Sequence, residues 1–233
     1  MTNTVTATRV ADAVTALGAD PILATAPDEV VEVAGVADVL VLNCGTPSAE
    51  RFAAMHAAAR AARGGGHPIV LDPVGCGASA WRTERIRELA RDATPDVVRG
   101  NAAEVAALAG ITGGPALRGI RSDGAGSETL ERIARSASAA LGTVVLSTGQ
   151  GSDIAADGAT VHVLAVDAAV LSHVVGAGDV LSAIVGVWLA RGIKPIDAVL
   201  AAHAAFATAA RAAAGQGPGG FWPRFIDALA ARG

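Results

Sequence analysis

Apolar and polar positions follow two rhythms along this chain. Residues 39–43 (VLVLN), 69–71 and 143–147 are short apolar runs, the pattern of strands buried on both faces of a parallel sheet. Between them lie longer stretches with apolar residues at helical spacing. The first covers residues 4–17 and stops at Gly18; the second, 25–34, opens with Pro27, Asp28 and Glu29. A third runs from Thr46, read as its N-cap, through Pro47 at the first helical position to Arg63, where glycines 64–66 end it. Residues 21–24 read as a short strand, 83–91 as helix and 96–99 as strand. Asn101 followed by Glu104 resembles a capping box and starts a helix to Ala109. A Gly-rich loop over 113–126 leads to a helix over 127–141. Residues 152–166 read as a hairpin turning at Asp157 and Gly158. A long apolar helix then ends near Arg191, and another spans 195–214. A Gly-Pro-Gly-Gly link leads to a last helix over 223–231. This alternation of strands and helices predicts βαβ units: an α/β fold whose central, largely parallel sheet carries helices on both faces.

Composition narrows the class. A single domain is expected of 233 residues in such a fold. The chain is 52% hydrophobic and only 17% charged, so it can build a large core. Its net charge of −4 arises from 18 basic and 22 acidic residues with no basic block, which argues against nucleic acid and against a polybasic membrane surface. Tyrosine is absent, which removes stacking platforms for single strands. The alanine-rich stretches are too short or too interrupted to span a bilayer, and no signal-peptide pattern opens the sequence. A cytoplasmic protein is expected. Cys44 and Cys76 do not amount to a disulfide scaffold.

Ligands of open α/β sheets collect at the carboxyl ends of strands. Those ends read Asn43-Cys44-Gly45-Thr46, Asp72-Pro73-Val74-Gly75-Cys76-Gly77, Arg99-Gly100-Asn101 and Thr148-Gly149-Gln150-Gly151. Each is small, polar or charged. The stretch VVGAGDVLSA at 174–183 adds Gly176, Ala177 and Gly178 directly before Asp179 and a long helix. Such a turn offers unpaired amides at a helix N-terminus, a cradle for an anion. Asp179 beside it suits a proton acceptor for an attacking hydroxyl in phosphoryl transfer. Read blandly, the stretch is a glycine turn, and Asp179 is a first-turn acid that stabilises its helix by roughly 0.3–1 kcal/mol. Asp72 suits a magnesium ion or its waters, or else bonds local amides in an Asp-Pro turn. Arg99 brings a guanidinium that forks onto phosphate, and Glu104 a second carboxylate; helix capping explains Asn101 and Glu104 equally well. The histidines show no metal-ligand spacing: His56, His67, His162 and His203 read as structural or exposed.

Taken in order, TNTVTA at 2–7, ALGADPILATAPDEV at 16–30, LVLNCGTPS at 40–48, IVLDPVGCGASAWRT at 69–83, VRGNAAEVAALAG at 98–110, VVGAGDVLSAIVG at 174–186 and GQGPGGF at 215–221 resemble the hydroxyethylthiazole kinase family of the ribokinase-like superfamily. VGAGD alone is common to the superfamily; DPVGCGAS, RGNAAE and LVLNCGT together specify the branch. The resemblance implies a ribokinase-like fold and transfer of the ATP γ-phosphate, with magnesium, to the primary alcohol of 4-methyl-5-(2-hydroxyethyl)thiazole in thiamine salvage. Carried over by position, it implies Arg99 and Thr148 at the ATP phosphates, Asn3, Leu23 and Gly176 at the thiazole, and Asp72 and Glu104 at the magnesium. It also implies a homotrimer with thiazole sites between subunits.

Four departures bear on activity. Many members carry cysteine where this chain has Asp179, and an acid is the better acceptor at neutral pH, with reference pKa values of about 3.9 against 8.5. Leu23 replaces a methionine near the thiazole, and Gln150 replaces a glutamate near the phosphates. The family's N-terminal helix and histidine-containing segment are expected to be missing before Thr2 and Asn3. Two rival readings share the scaffold: an ATP-dependent dehydratase of hydrated nicotinamide cofactors, and a non-catalytic trimer that binds thiazole or nucleotide.

Overall fold

The computed structural model describes residues 1–111, 127–149, 151–166 and 168–231. The Gly-rich loop expected over 113–126 lies outside them, as does Gln150. Six strands form one sheet in sequential order: β1 (Leu40–Asn43), β2 (Ile69–Asp72), β3 (Val97–Asn101), β4 (Val144–Thr148), β5 (Ser152–Asp157) and β6 (Thr160–Ala165). The first four run parallel; β5 and β6 return antiparallel as the expected hairpin.

The strands alternate between two helical layers. Leu42, Ile69, Leu71, Val98 and Val145 face a core built with α2 (Val30–Val36), α3 (Ala49–Gly64), α4 (Ala80–Ala93), α5 (Ala102–Leu108) and α6 (Ser127–Leu141). Val70, Val97, Val144 and Leu146 face the other core, with α1 (Ala7–Ala16), α7 (Ala177–Ala190), α8 (Pro195–Ala213) and α9 (Gly217–Ala230). Side chains one residue apart on a strand point to opposite faces. Asn43, Asp72, Arg99 and Thr148 therefore fall on the α7 side, at the carboxyl end. Register aligns them further: Asn43 pairs with Asp72, and Asn101 with Thr148.

Helix α7 is apolar nearly all round, as a helix enclosed by other elements must be. Val180 to Val187 are all buried, against β1, β2, α1 and α8. At the far end of this layer, Phe225 packs on Phe206 and Phe221, with centroids 5.3 and 5.6 Å apart.

Several local expectations differ from the structure. Residues 21–24 form no strand: Ile22 is 62% exposed and Leu23 43%. The free edge of β1 is taken by Met1 instead, whose carbonyl accepts the Asn43 N–H at 3.0 Å. The cap of α3 is Ser48, whose side chain accepts the Arg51 N–H at 3.1 Å, not Thr46; Thr46 sits at φ 44°, outside the extended conformation of an N-cap. The Gly-Pro-Gly-Gly segment is the first turn of α9 and not a link. Proline is tolerated in a first turn, and burial of Phe221 outweighs the weak helix preference of the glycines. Helix α4 also starts earlier than expected, capped by Ser79.

Removing the observed cap tests the α3 assignment. Ser48→Ala is expected to cost about 1 kcal/mol in urea denaturation, and Thr46→Ala clearly less.

Candidate active site

At the carboxyl end of the sheet, β1 and β2 bring a carboxylate pair together with α7. Asn43 is the joint. Its Nδ2 donates to Asp72 Oδ2 at 3.0 Å and to Asp179 Oδ1 at 2.8 Å. Its Oδ1 accepts Asn3 Nδ2 at 3.1 Å and the Gly45 N–H at 3.0 Å. The whole hydrogen-bonding capacity of this buried amide is in use.

Asp179 lies in the first turn of α7. Its Oδ2 accepts two donors from the N-terminal segment, Asn3 Nδ2 at 2.9 Å and Thr6 Oγ1 at 2.6 Å. Among the described residues Oδ1 accepts Asn43 alone, which leaves one of its acceptor directions unused there. The N-cap of α7 is Gly176, at φ 91° and without a side chain to cap the helix. Among the described residues the first amides of α7 thus have no side-chain capping acceptor, at the positive end of the helix dipole. A Cβ on Gly176 would collide with the methyl group of Thr6. A Cβ on Gly178 would collide with the Arg99 guanidinium, so the glycine is what lets that cation lie against the helix start.

Arg99 reaches this point from β3. Its Nη2 donates to Thr148 Oγ1 at 2.7 Å, and its Nη1 lies 3.8 Å from Asp72 Oδ2. Asp72 is buried. Its Oδ2 also accepts Ser182 Oγ at 2.7 Å, whereas Oδ1 has no hydrogen-bond partner among the described residues. Burial pushes the Asp72 pKa up from 3.8 to about 7; Arg99 and the Ser182 hydroxyl oppose the rise, and Asp179 and Glu104 add to it. Glu104 completes the expected capping box, Oε2 accepting the Asn101 N–H at 2.9 Å, while Oε1 accepts the Gly75 N–H at 2.8 Å and ties the loop after β2.

The structure thus brings Asn3, Asp72, Arg99, Thr148, Gly176, Gly178 and Asp179 into one polar cluster; Ala177 begins α7 beside them, and Glu104 stands one loop away. No hydrogen bond among the described residues ties Leu23, half-exposed, to the cluster. Sequence reasoning assigned no role to Asn43, Thr6 or Ser182. Ser182 could have been found from its spacing, since three residues after Asp179 is the same helix face. Thr6 stands at the same spacing from Asn3. Cys44 and Cys76 are both free and buried; burial raises both thiols, Cys76 to about 11, which suits packing and not nucleophilic work.

No group of three or more His, Cys, Asp or Glu side chains among the described residues is placed to cage a metal. Magnesium rarely needs one, because it keeps several waters and uses one or two carboxylates together with phosphate oxygens. The unpartnered Asp72 Oδ1 and the nearby Glu104 suit that sparse mode. No described helix is long and apolar enough to cross a membrane.

Comparison with known proteins places the chain in a family. The profile of the hydroxyethylthiazole kinase family matches residues 1–232. A hydroxyethylthiazole kinase of Listeria monocytogenes serotype 4a (strain HCC23) is 38% identical over 234 residues, covering 99% of this chain and 86% of the relative. The solved structure of the hydroxyethylthiazole kinase protein from Pyrococcus horikoshii OT3 superposes with a TM-score of 0.87 at 32% identity, over 99% of this chain and 85% of that one. The Staphylococcus aureus pyridoxal kinase in complex with AMP-PCP and pyridoxal shares the fold at a TM-score of 0.65 and 18% identity, over 90% of this chain and 85% of that one. The fold is ribokinase-like, and the chain belongs to the hydroxyethylthiazole kinase family.

The raised pKa of Asp72 has a consequence for stability. Between its unfolded and folded values the folded protein holds a proton that the unfolded chain has released, so this contribution is full below about pH 4 and is lost as pH rises through about 7. Asp72→Asn removes the dependence. Without nucleotide or magnesium, its urea midpoint relative to the parent is expected to be higher at about pH 8 than at about pH 5. Equal differences at both would contradict the assignment.

Proposed function

We propose that this member of the hydroxyethylthiazole kinase family transfers the γ-phosphoryl group of ATP to the primary alcohol of 4-methyl-5-(2-hydroxyethyl)thiazole, with magnesium, in thiamine salvage. The observation that carries the reading is the start of α7. There a carboxylate with an unused acceptor direction, an uncapped row of amides and a guanidinium meet within one helical turn.

The alcohol oxygen forms a bond to the γ-phosphorus as the bond to the β,γ-bridging oxygen breaks, and ADP leaves. The hydroxyl proton passes to Asp179. Oδ1 is the receiving oxygen in this reading, because Oδ2 is already engaged by Asn3 and Thr6. Those donors and Asn43 fix the carboxylate before substrate arrives, so little reorganisation is left for the reaction itself. The amides of the Gly176, Ala177 and Gly178 turn hold the charge on the transferring group. Arg99 and Thr148 hold the phosphates, already aligned with each other at 2.7 Å.

Magnesium, when bound, supplies charge neutralisation of the phosphates; Asp72 and Glu104 are the residues that would hold it or its waters. Asn3, Leu23 and Gly176 line the thiazole side. Val5, Ile22, Leu23 and Val175 are exposed apolar side chains, and apolar surface of this kind supports a homotrimer with thiazole sites between subunits. We read the chain as one catalytic domain that works in the cytoplasm.

Thiazole-dependent release of ADP from ATP and magnesium tests the reaction. Asp179→Asn is expected to lower turnover about 10²–10⁴-fold while nucleotide titration shows binding little changed. Full turnover by Asp179→Asn, in a fold that still binds ATP, would remove Asp179 as the base.

A further inference from the structure

A buried Asp–His contact that the transfer step does not use lies next to the end of β4. His203, midway along α8, places Nε2 3.2 Å from Asp153 Oδ2; the two side chains are 5% and 6% exposed. The other oxygen of Asp153 accepts the backbone N–H of Gly149 at 3.0 Å. Gly149 follows Thr148, whose hydroxyl accepts Arg99 Nη2. Polar contacts thus run from α8, through β5, into the loop end that carries Thr148. Burying a carboxylate is costly unless it is paired, and a well-packed apolar pair would commonly serve stability as well or better. Here both oxygens of the carboxylate are committed, one to the helix and one to a loop amide.

We propose that Asp153, held by His203, is a positioning residue for the nucleotide. It fixes the Thr148–Gly149 peptide so that the Thr148 hydroxyl and the Arg99 guanidinium present a preformed face to the ATP phosphates. The inference rests on the reading of Arg99 and Thr148 as phosphate ligands. The loop needs such a tether because glycine stands at both 149 and 151, where the backbone is intrinsically permissive.

Nucleotide binding by the full chain, titrated with ATP and magnesium in the absence of thiazole, tests this together with steady-state kinetics. Asp153→Ala is expected to weaken ATP binding about 10-fold and to raise KM for ATP in step, with KM for the thiazole alcohol unchanged. Asp153→Asn is expected to restore affinity to within about threefold. Its Oδ1 still accepts the Gly149 N–H, and its Nδ2 donates to the other tautomer of His203. Should Asp153→Ala not fold, Asp153→Val combined with His203→Leu removes both polar side chains together, so neither is left buried without the other, while the Gly149 N–H still loses its tether; the same loss of ATP affinity is expected. ATP affinity in the folded Asp153→Ala or the double variant equal to the parent's would overturn the inference while leaving the proposed reaction standing. Equal rises in both KM values would assign Asp153 to general structure and also overturn it. A parent chain that binds no ATP would sink the reading of the phosphate site, and this inference with it.

Discussion

The carboxylate of Asp72 is buried in the seam between sheet and α7, and the architecture around it follows from that burial. A charge withdrawn from water must be paired or hydrogen-bonded, or it takes up a proton. Each neighbouring element answers this demand. β1 supplies the Asn43 amide, α7 supplies the Ser182 hydroxyl, and β3 supplies Arg99 at 3.8 Å. These are the same elements that bring Asp179 and the phosphate-facing groups together. Stabilising one acid and assembling a site are therefore a single structural task. Arg99 can approach only because residue 178 lacks a side chain.

Most of the fold was legible because apolar periodicity and punctuation agree along this chain. Runs such as residues 69–71 admit little except a buried strand, and the hairpin at Asp157 and Gly158 stands where its turn chemistry put it. Errors arose where two signals compete locally. Thr46, Pro47 and Ser48 offer two hydroxyl caps, and backbone conformation, invisible in sequence, selects Ser48. Gly217 to Gly220 looks like a linker by propensity, yet burial of Phe221 draws it into a helix. Pro21 to Ala24 is apolar enough for a strand but finds no partner, because the β1 edge is already used by Met1.

The polar cluster was half legible. Strand-end residues could be identified from the alternation of elements, and Asp179 from its glycines. What the sequence hides is which polar residues face one another. Asn43 was visible as a strand end, but its role depends on a pleat that turns it toward α7 beside Asp72, a fact of register between strands. His203 shows the same limit more sharply. Nothing near it in the chain announces a partner, since Asp153 lies 50 residues away on another element.

The rigidity of the site is unevenly distributed, and its hydrogen bonds follow that distribution. Asp179 and the amides at the start of α7 belong to one buried helix, so their separation is fixed by helix geometry. Arg99 and Thr148 sit on adjacent parallel strands whose register fixes them just as firmly. Constellations built on such elements hold their geometry better than those built on loops. The two loops beside them lack that support, and each is tied by a carboxylate accepting a loop amide. Glu104 accepts the Gly75 N–H after β2, and Asp153 accepts the Gly149 N–H after β4. In both cases the second oxygen of the acid is anchored elsewhere, to Asn101 in one and His203 in the other. A carboxylate suits this work because its two acceptor oxygens can hold a loop amide and a group on a regular element at once. The two ties fall on either side of β3, one after β2 and one after β4, so the Gly75 and Gly149 amides are held from the strands and helices they adjoin.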